Sequence, residues 1–186
     1  MKHEKILEEM LRELTANAGL ISAEELERFA DVLCDAKHIF VAGAGRSGFA
    51  ARAFSNRLMH LGLGVFFVGE PTTPAIGSGD VLVIGSGSGE TGSLVGMAEN
   101  AKKFGAKIVT LTIHPEASIG RMAQACITIP GATPKSRLAD TIHSIQPMGS
   151  AFEQMSWLVY DVIIMILMDK LGKDQEEMFI HHANLE

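Results

Sequence analysis

The fold of this chain follows from the stretch Val81-Leu82-Val83-Ile84-Gly85-Ser86-Gly87-Ser88-Gly89-Glu90-Thr91. Its first four residues form a continuous apolar run, which is typical of a parallel strand buried on both faces. A Gly/Ser-rich turn follows, and a helical pattern begins near Ser93. A strand, such a turn and a helix start together build a nest of backbone N–H groups that faces an anion. The turn is therefore interpreted as a phosphate-binding loop, with a flexible βα connection as the plainer alternative.

Glycines and hydroxyl groups supply the contacts that this loop offers. The glycines let the backbone turn tightly and approach a ligand closely, while the serines and the threonine add hydroxyl donors. The loop has no lysine and lacks the Gly-Lys-Ser/Thr ending of a P-loop, which excludes that class of site. The predicted binding residues of the loop are Ser86, Gly87, Ser88, Gly89, Glu90 and Thr91.

Apolar runs and helical patterns alternate on both sides of this loop. The predicted strands are residues 39–42, 65–68, 81–84, 108–111 and 126–129. This alternation predicts an α/β protein with a five-stranded parallel sheet of order 2-1-3-4-5 and helices on both faces, a flavodoxin-like three-layer sandwich. The crossover between the second and third strands has no strong helical pattern.

The 186 residues suit one domain with a sizeable core. Two amphipathic helices are predicted within residues 1–36, before a sheet core at 39–129, and the second begins after a capping box at Ser22. Their apolar faces consist of Ile6, Leu7, Met10, Leu11 and Leu14, and of Leu26, Phe29, Ala30 and Leu33. A polar connection at 130–146 follows, and connections of that length are usually functional or mobile. A helix at 149–171 and a tail at 174–186 complete the chain.

Composition limits the class of protein. Hydrophobic residues make up 47% of the chain and charged residues 20%, which predicts a folded globular protein. The formal net charge is −6 without a basic stripe, so nucleic acid is not expected as a partner. Cys34 and Cys126 fit no metal-binding spacing and are interpreted as small buried residues from a reducing compartment. The N-terminus has no signal-peptide pattern, so the cytoplasm is the expected location.

The helix at 149–171 is apolar on nearly every side between Trp157 and Met168, apart from Asp161. Such a helix cannot lie on the surface of a monomer, so either its own domain or a second subunit surrounds it. The second subunit is favoured, which predicts a homo-oligomer. A membrane span is not expected, because the apolar segment 155–168 is shorter than the roughly 20 residues that a bilayer requires.

The first predicted turn, Gly43-Ala44-Gly45-Arg46-Ser47-Gly48, matches the dinucleotide-binding fingerprint, with the acid Glu70 near the end of the next strand. Two features oppose an oxidoreductase: no substrate domain follows the sheet, and a second donor-rich loop is present. In the predicted strand order, the ligand crevice lies where the first and third strands end. Ser47 would line one wall and the 86–91 loop the other, which suits a single phosphate carrying a short polyol.

Two charged residues are candidates beside this crevice. Glu153 is the preferred catalytic base, because the long helix would hold it rigidly after the polar connection. The alternative is an ordinary first-turn glutamate favoured by the helix dipole. Arg46, beside Ser47, would contact the phosphate or a sugar hydroxyl, or else be a solvated loop cation.

His60 is the leading imidazole. It lies 13 residues beyond Ser47 on one predicted helix, or about 20 Å away at 1.5 Å per residue. It would therefore serve the crevice of a neighbouring subunit or be a core histidine, and Asn56, one turn earlier, would accompany it. The adjacent pair His181-His182 is not expected to bind a metal, because neighbouring side chains diverge and no ligand spacing supports them.

Five motifs together resemble the 6-phospho-3-hexuloisomerase family of the sugar isomerase (SIS) domain superfamily. They are Gly43-Ala44-Gly45-Arg46-Ser47-Gly48, Arg57-Leu58-Met59-His60, Gly85-Ser86-Gly87-Ser88-Gly89-Glu90-Thr91, Gln146-Pro147-Met148-Gly149-Ser150-Ala151-Phe152-Glu153-Gln154 and His182-Ala183-Asn184-Leu185-Glu186. The serine-rich loop alone indicates the superfamily, whereas the glutamate motif and the tail narrow the resemblance to the hexuloisomerases. The resemblance extends over essentially the whole chain as a single SIS domain.

The resemblance implies interconversion of 3-hexulose 6-phosphate and fructose 6-phosphate in formaldehyde fixation by the ribulose monophosphate pathway. It implies a homotetramer with sites near subunit interfaces and no metal or organic cofactor. Ser47 and the 86–91 loop would hold the phosphate, Glu153 would accept the proton and His60 would assist proton transfer at oxygen. A sugar-phosphate sensor without catalysis and a related aldose–ketose phosphate isomerase remain as alternatives.

Overall fold

Five parallel strands form the centre of the computed structural model, which describes residues 3–132 and 143–185. They are β1 (Ile39–Gly43), β2 (Val65–Phe67), β3 (Val81–Gly85), β4 (Lys107–Thr112) and β5 (Ala125–Thr128). Their order is β2-β1-β3-β4-β5, and every neighbouring pair is parallel. The predicted sheet is confirmed, with β2 and β5 each ending one residue earlier than expected.

Helices cover both faces of this sheet. They are α1 (Ile6–Ala18), α2 (Ala23–Cys34), α3 (Gly45–His60), α4 (Gly92–Lys103), α5 (Ser118–Met122), α6 (Ser150–Leu171) and α7 (Gln175–Ile180). Residues 68–80, between β2 and β3, form turns and irregular backbone, as the missing helical pattern predicts. The central part of the polar connection, 133–142, lies outside the described residues.

The core has two layers because side chains alternate across each strand. Ile39 and Val41 of β1 point to the layer that contains α2, α3 and α6. Phe40 and Ala42 of the same strand point to the layer that contains α4 and α5. The helices that follow β1 and β3 therefore lie on opposite faces, and this places a crevice between the ends of those two strands.

Helix α2 begins at the predicted N-cap Ser22, but the Glu25 side chain binds the far edge of the sheet instead of closing the predicted capping box. The Ser22 hydroxyl accepts a hydrogen bond from the Glu25 N–H. The Glu25 carboxylate accepts hydrogen bonds from the N–H and the hydroxyl of Thr128 at the end of β5. Phe29, Ala30 and Leu33 are buried and Leu26 is half-buried.

Helix α1 leaves much of its apolar face uncovered by the described chain. Leu7 is 64% exposed and Leu11 is 54% exposed, whereas Asn17 is buried. The side of α1 that faces the body is thus partly polar. Its apolar stripe is available to another surface.

Helix α6 buries one side and exposes apolar residues on the other. Its exposed large hydrophobic side chains are Trp157, Leu158, Val162 and Met165. By length and composition alone it is the helix of the described chain that could cross a membrane, yet half of its most apolar window is buried inside the fold. The core helix of a soluble protein also has this length and apolar composition.

Both cysteines are free, half-buried thiols, so they are less enclosed than the buried residues that the sequence predicts. Burial nevertheless raises the pKa of Cys126 to about 12.

Candidate functional site

A crevice of about 190 Å³ lies at the C-terminal ends of β1 and β3, where this class of sheet binds its ligands. Its walls come from the turn after β1, the loop after β3 and the first turn of α6. The lining residues are Ala44, Gly45, Arg46, Ser47, Ser86, Gly87, Ser88, Thr91, Leu94, Met148, Gly149, Phe152 and Glu153. The structure therefore brings together six of the predicted site residues from the two loops with the predicted base, Glu153.

The turn after β1 depends on two glycines that touch. A Cβ atom built on Gly43 would lie 2.7 Å from Gly48 Cα, and one built on Gly48 would lie 2.8 Å from the Gly43 carbonyl oxygen. Only residues without a side chain allow α3 to approach the strand this closely. The approach places Arg46 and Ser47 in the first turn of α3, at the crevice.

The loop after β3 is held by the neighbouring strand. Its Ser86 N–H donates to the Leu111 carbonyl oxygen, and the Gly87 carbonyl oxygen accepts from the Ile113 N–H. The side chains of Ser86 and Ser88 are buried at the crevice. Thr91 precedes α4 and also lines the crevice, and within the described chain its hydroxyl makes no capping hydrogen bond. These contacts fix the loop in place beside the crevice.

Arg46 and Glu153 meet at the rim of the crevice. Arg46 Nε donates to Glu153 Oε2 with the two atoms 2.5 Å apart, which is a short charge-assisted hydrogen bond. The Glu153 side chain is 21% exposed and the Arg46 side chain 69% exposed. The carboxylate is therefore sheltered, and the guanidinium lies on its solvent side.

Gly89 and Glu90 of the predicted loop do not line the crevice. The Glu90 carboxylate accepts hydrogen bonds from the Ser118 N–H at 2.7 Å and from the Ser118 hydroxyl at 2.8 Å. Gly89 has a φ of +63°, and a Cβ atom there would lie 2.7 Å from the Ala117 Cβ. Both residues fasten the loop to α5, so their contacts in this structure are structural.

We expect Glu90→Gln to weaken this attachment in a pH-dependent way. The hydrogen bond from the Ser118 N–H, and then that from its hydroxyl, hold the pKa of Glu90 below its ordinary value of 4.5. A carboxyl group whose pKa is lowered by folding stabilises the folded state at pH values above its pKa in the unfolded chain. This stabilisation is lost as the pH falls through the pKa of the group in the folded protein. The midpoint of thermal unfolding should fall by about 1–3 °C at pH 7, since exposed contacts contribute little.

Melting curves between pH 2.5 and pH 7 would test this expectation against Glu99→Gln, which changes an exposed glutamate of α4. The deficit of Glu90→Gln should vanish at the acid end. A deficit of equal size at every pH would contradict the assignment.

His60 and Asn56 lie at the other end of α3, as their spacing predicts. His60 is 5% exposed, and its ring stacks on His182 with centroids 5.3 Å apart. Arg57 Nη1 lies 3.3 Å from His60 Nδ1. Since arginine can only donate, Nδ1 acts as the acceptor. Burial, followed by the nearby Arg57, His182 and His181, lowers the pKa of His60.

A second cavity of about 440 Å³ surrounds this histidine, and its lining shares no residue with the crevice. Asn56 is exposed and is not part of either lining. His60 is therefore not part of the crevice formed by its own chain. Among the described residues, no group of three or more His, Cys, Asp or Glu side chains could hold a metal ion.

Sequence reasoning assigned no role to two side chains of the crevice, Phe152 and Met148. Phe152 is buried beside Gly87, and Met148 has a φ of 58° that non-glycine residues rarely adopt. Both belong to the glutamate motif at 146–154, so their position beside Glu153 was the available signal. Tyr160 lies further along α6, where its ring stacks on Phe54 and burial raises its pKa.

Comparisons with known proteins identify the family of this chain. A family model described as the SIS domain matches residues 32–157. The chain is 48% identical to the 3-hexulose-6-phosphate isomerase of Bacillus subtilis (strain 168), with all of both chains covered. It is 40% identical to the 3-hexulose-6-phosphate isomerase of Mycobacterium gastri over 94% of this chain and 86% of that protein.

A solved structure supports the same family. A Methanococcus jannaschii protein, from whose crystal structure a molecular function of 3-hexulose-6-phosphate isomerase was inferred, superposes on this chain with a TM-score of 0.82. It is 31% identical, and the comparison covers 97% of this chain and 98% of that one. The chain belongs to the SIS domain family and, within it, to the 3-hexulose-6-phosphate isomerases.

Proposed function

We propose that this protein interconverts 3-hexulose 6-phosphate and fructose 6-phosphate, as the second step of formaldehyde fixation through the ribulose monophosphate pathway. One observation carries the proposal: a sheltered carboxylate, Glu153, lines the same crevice as the hydroxyl groups of Ser47, Ser86, Ser88 and Thr91. The named activity of relatives that are 40–48% identical supports the choice of substrate.

Moving the carbonyl group from C3 to C2 requires a base on one side of the sugar. The base removes the proton from C2, an enediolate forms, and the same proton or a solvent proton is delivered to C3. One carboxylate can perform both transfers when the intermediate stays in place. Glu153 is rigidly attached to the first turn of α6, and its low exposure limits competition from water.

The phosphate would supply the positioning. We assign it to Ser47, Ser86, Ser88 and Thr91 and to the N–H groups of their loops, with Gly87 allowing close approach. Arg46 would contact a sugar hydroxyl or the phosphate from the rim. Binding energy from the unreactive phosphate can then orient the reacting carbons toward the carboxylate.

A coupled assay on the purified chain tests this proposal. 3-Hexulose 6-phosphate would be generated in place, and fructose 6-phosphate would be followed through glucose 6-phosphate and NADPH formation. Turnover of this substrate above that of pentose and heptose phosphates supports the proposal. Turnover of another sugar phosphate in the panel would indicate a related isomerase, and thermal stabilisation by sugar phosphates without turnover would indicate a sensor.

We further propose that the protein is a homo-oligomer, and specifically the tetramer that its family resemblance implies. Each chain would be one SIS domain and would act in the cytoplasm without nucleic acid or membrane partners. In this arrangement residues 149–171 would form the interface helix, between the sheet core and the tail at 174–186. The exposed apolar groove of about 520 Å³ between α1, α3 and α6 supports the proposal. Its walls include Leu11, Phe49, Trp157 and Leu158, each 46–69% exposed.

We expect Trp157→Glu to yield smaller species, because a buried unpaired charge costs several kcal/mol at an interface. Light scattering coupled to size-exclusion chromatography would measure the mass. Phe104→Glu is the matched control, since Phe104 is an exposed aromatic residue that contributes to a different cavity, formed with Phe40 and Met97. Dissociation by Phe104→Glu with an unchanged mass for Trp157→Glu would place the interface elsewhere.

His60 enters the proposal through this oligomer. Because it is outside the crevice of its own chain, it would assist proton transfer at oxygen in the crevice of a neighbouring copy, together with Asn56. The neighbouring tail residue His182 covers the ring in this structure, so access would require contact with the partner to displace or accommodate that residue.

A further inference from the structure

The ion pair between Arg46 and Glu153 connects two elements that are distant in sequence. Arg46 is in the first turn of α3 and Glu153 in the first turn of α6, 107 residues later. Each residue lines both the crevice and the apolar groove beside it. The pair therefore forms the boundary between the two cavities.

Within the described chain, no other charged side chain shares the walls of these two cavities with the pair. Among the described residues that line the crevice or the groove, Arg46 and Glu153 are the only charged ones. Arg46 thus supplies the single positive charge that faces the carboxylate from these walls. A charged donor restrains a carboxylate more firmly than a neutral one, and general-base catalysis depends on where the accepting oxygen is held.

The atoms used in the contact leave both groups able to act. The hydrogen bond joins Arg46 Nε to Glu153 Oε2, so the two terminal nitrogens of the guanidinium keep their donors for other contacts. The carboxylate also keeps Oε1, which can take a proton while Oε2 is held. Because Arg46 is far more exposed than Glu153, the guanidinium restrains the carboxylate from the solvent side.

We infer that Arg46 is a positioning residue for the base: it fixes the orientation of the Glu153 carboxylate, in addition to any contact with the substrate. The inference rests on the proposed function, since it concerns the base of that reaction. It differs from a purely substrate-binding role for Arg46, which would raise KM and leave kcat unchanged.

Three variants separate these roles. Arg46→Met removes the charge and the hydrogen bond, and Arg46→Lys restores the charge without the planar donor group. Arg52→Met is the matched control, because Arg52 is on the same helix, is also exposed and pairs with a glutamate, Glu70, away from the crevice. All three are measured for kcat and KM.

We expect Arg46→Met to lower kcat by about 10- to 100-fold, since misplaced reacting groups lose up to about 100-fold. Arg46→Lys should recover kcat only in part, because the charge returns without the planar donor group. Arg52→Met should match the wild type in both quantities. A rise in KM alone in Arg46→Met, with kcat unchanged, would overturn the inference.

A readout without turnover keeps the two proposals apart. In protein labelled with 13C at glutamate Cδ, the Glu153 signal can be assigned by its loss in Glu153→Gln. Loss of the Arg46 contact should shift and broaden this signal at neutral pH, whereas Arg52→Met should leave it in place. If the wild type has no isomerase activity, the proposed function fails while this comparison still tests the ion pair. An identical Glu153 signal in wild type and Arg46→Met overturns the inference even in an active enzyme.

Discussion

Replacing Glu153 by glutamine should reduce isomerase kcat by about 10³-fold or more, because removal of a positioned general base costs roughly 10²–10⁴-fold. The amide keeps the size of the side chain and can still accept from Arg46 Nε, but it cannot take the C2 proton. Binding of fructose 6-phosphate should persist, since the phosphate loop is unchanged. The coupled assay measures turnover, and NMR in D2O measures exchange of the C2 proton of 3-hexulose 6-phosphate.

Glu70→Gln is the control for this experiment, because Glu70 is an exposed glutamate paired with an arginine outside the crevice. It should retain wild-type turnover. A Glu153→Gln variant with full turnover or full C2 exchange would remove Glu153 from the mechanism.

The same variant also tests whether His60 acts in the crevice of another copy. Inactive Glu153→Gln and inactive His60→Gln chains would be unfolded together and refolded as mixed oligomers. A crevice with an intact base from one chain and an intact imidazole from the other should restore part of the activity. No recovery in confirmed mixed oligomers would place His60 in a structural role within its own chain.

The sheet was predictable because burial on both faces leaves an unmistakable pattern. β1 and β3 appear in the sequence as continuous apolar runs that end in glycine, and helices with apolar stripes separate most of the strands. Short right-handed crossovers then leave few possible orders. The crevice follows from that order without any side-chain information.

The direction of individual side chains was not predictable in the same way. Ser88 and Glu90 are two residues apart in one loop, yet Ser88 lines the crevice and Glu90 binds Ser118. That difference depends on the position of α5, which the loop sequence does not encode. For the same reason the contact between Arg46 and Glu153 was missed, although each residue was a candidate by itself.

Helix α1 illustrates a different limit. Its apolar stripe is clear in the sequence, but the pattern does not tell whether the chain itself or another copy covers the stripe. In the structure Leu7 and Leu11 are more than half exposed. Surfaces that assemble with a second copy carry the same apolar signal as a core, and so the sequence could not separate the two.

Gly48→Ala should destabilise the fold by about 2–4 kcal/mol, the range of substitutions that force a backbone clash. Helix propensity alone predicts the opposite, because alanine is favoured over glycine within a helix by about 1 kcal/mol, and Gly48 lies inside α3. The steric term should win, since the new Cβ would lie 2.8 Å from the Gly43 carbonyl oxygen and 2.9 Å from its carbon. Backbone atoms of a central strand cannot yield as a side chain can.

Gly96→Ala provides the matched comparison, because Gly96 lies inside α4 and a Cβ atom there meets no atom of the described residues within 4 Å. At equal protein concentration, the thermal midpoint of Gly48→Ala should fall by about 5–15 °C, whereas that of Gly96→Ala should rise by a few degrees. If both variants gained stability, contact between the β1 turn and α3 would not be what fixes Ser47 and Arg46 at the crevice. Opposite changes in the two thermal midpoints would separate the effect of helix propensity, which acts at both glycines, from the effect of close packing, which acts only at Gly48.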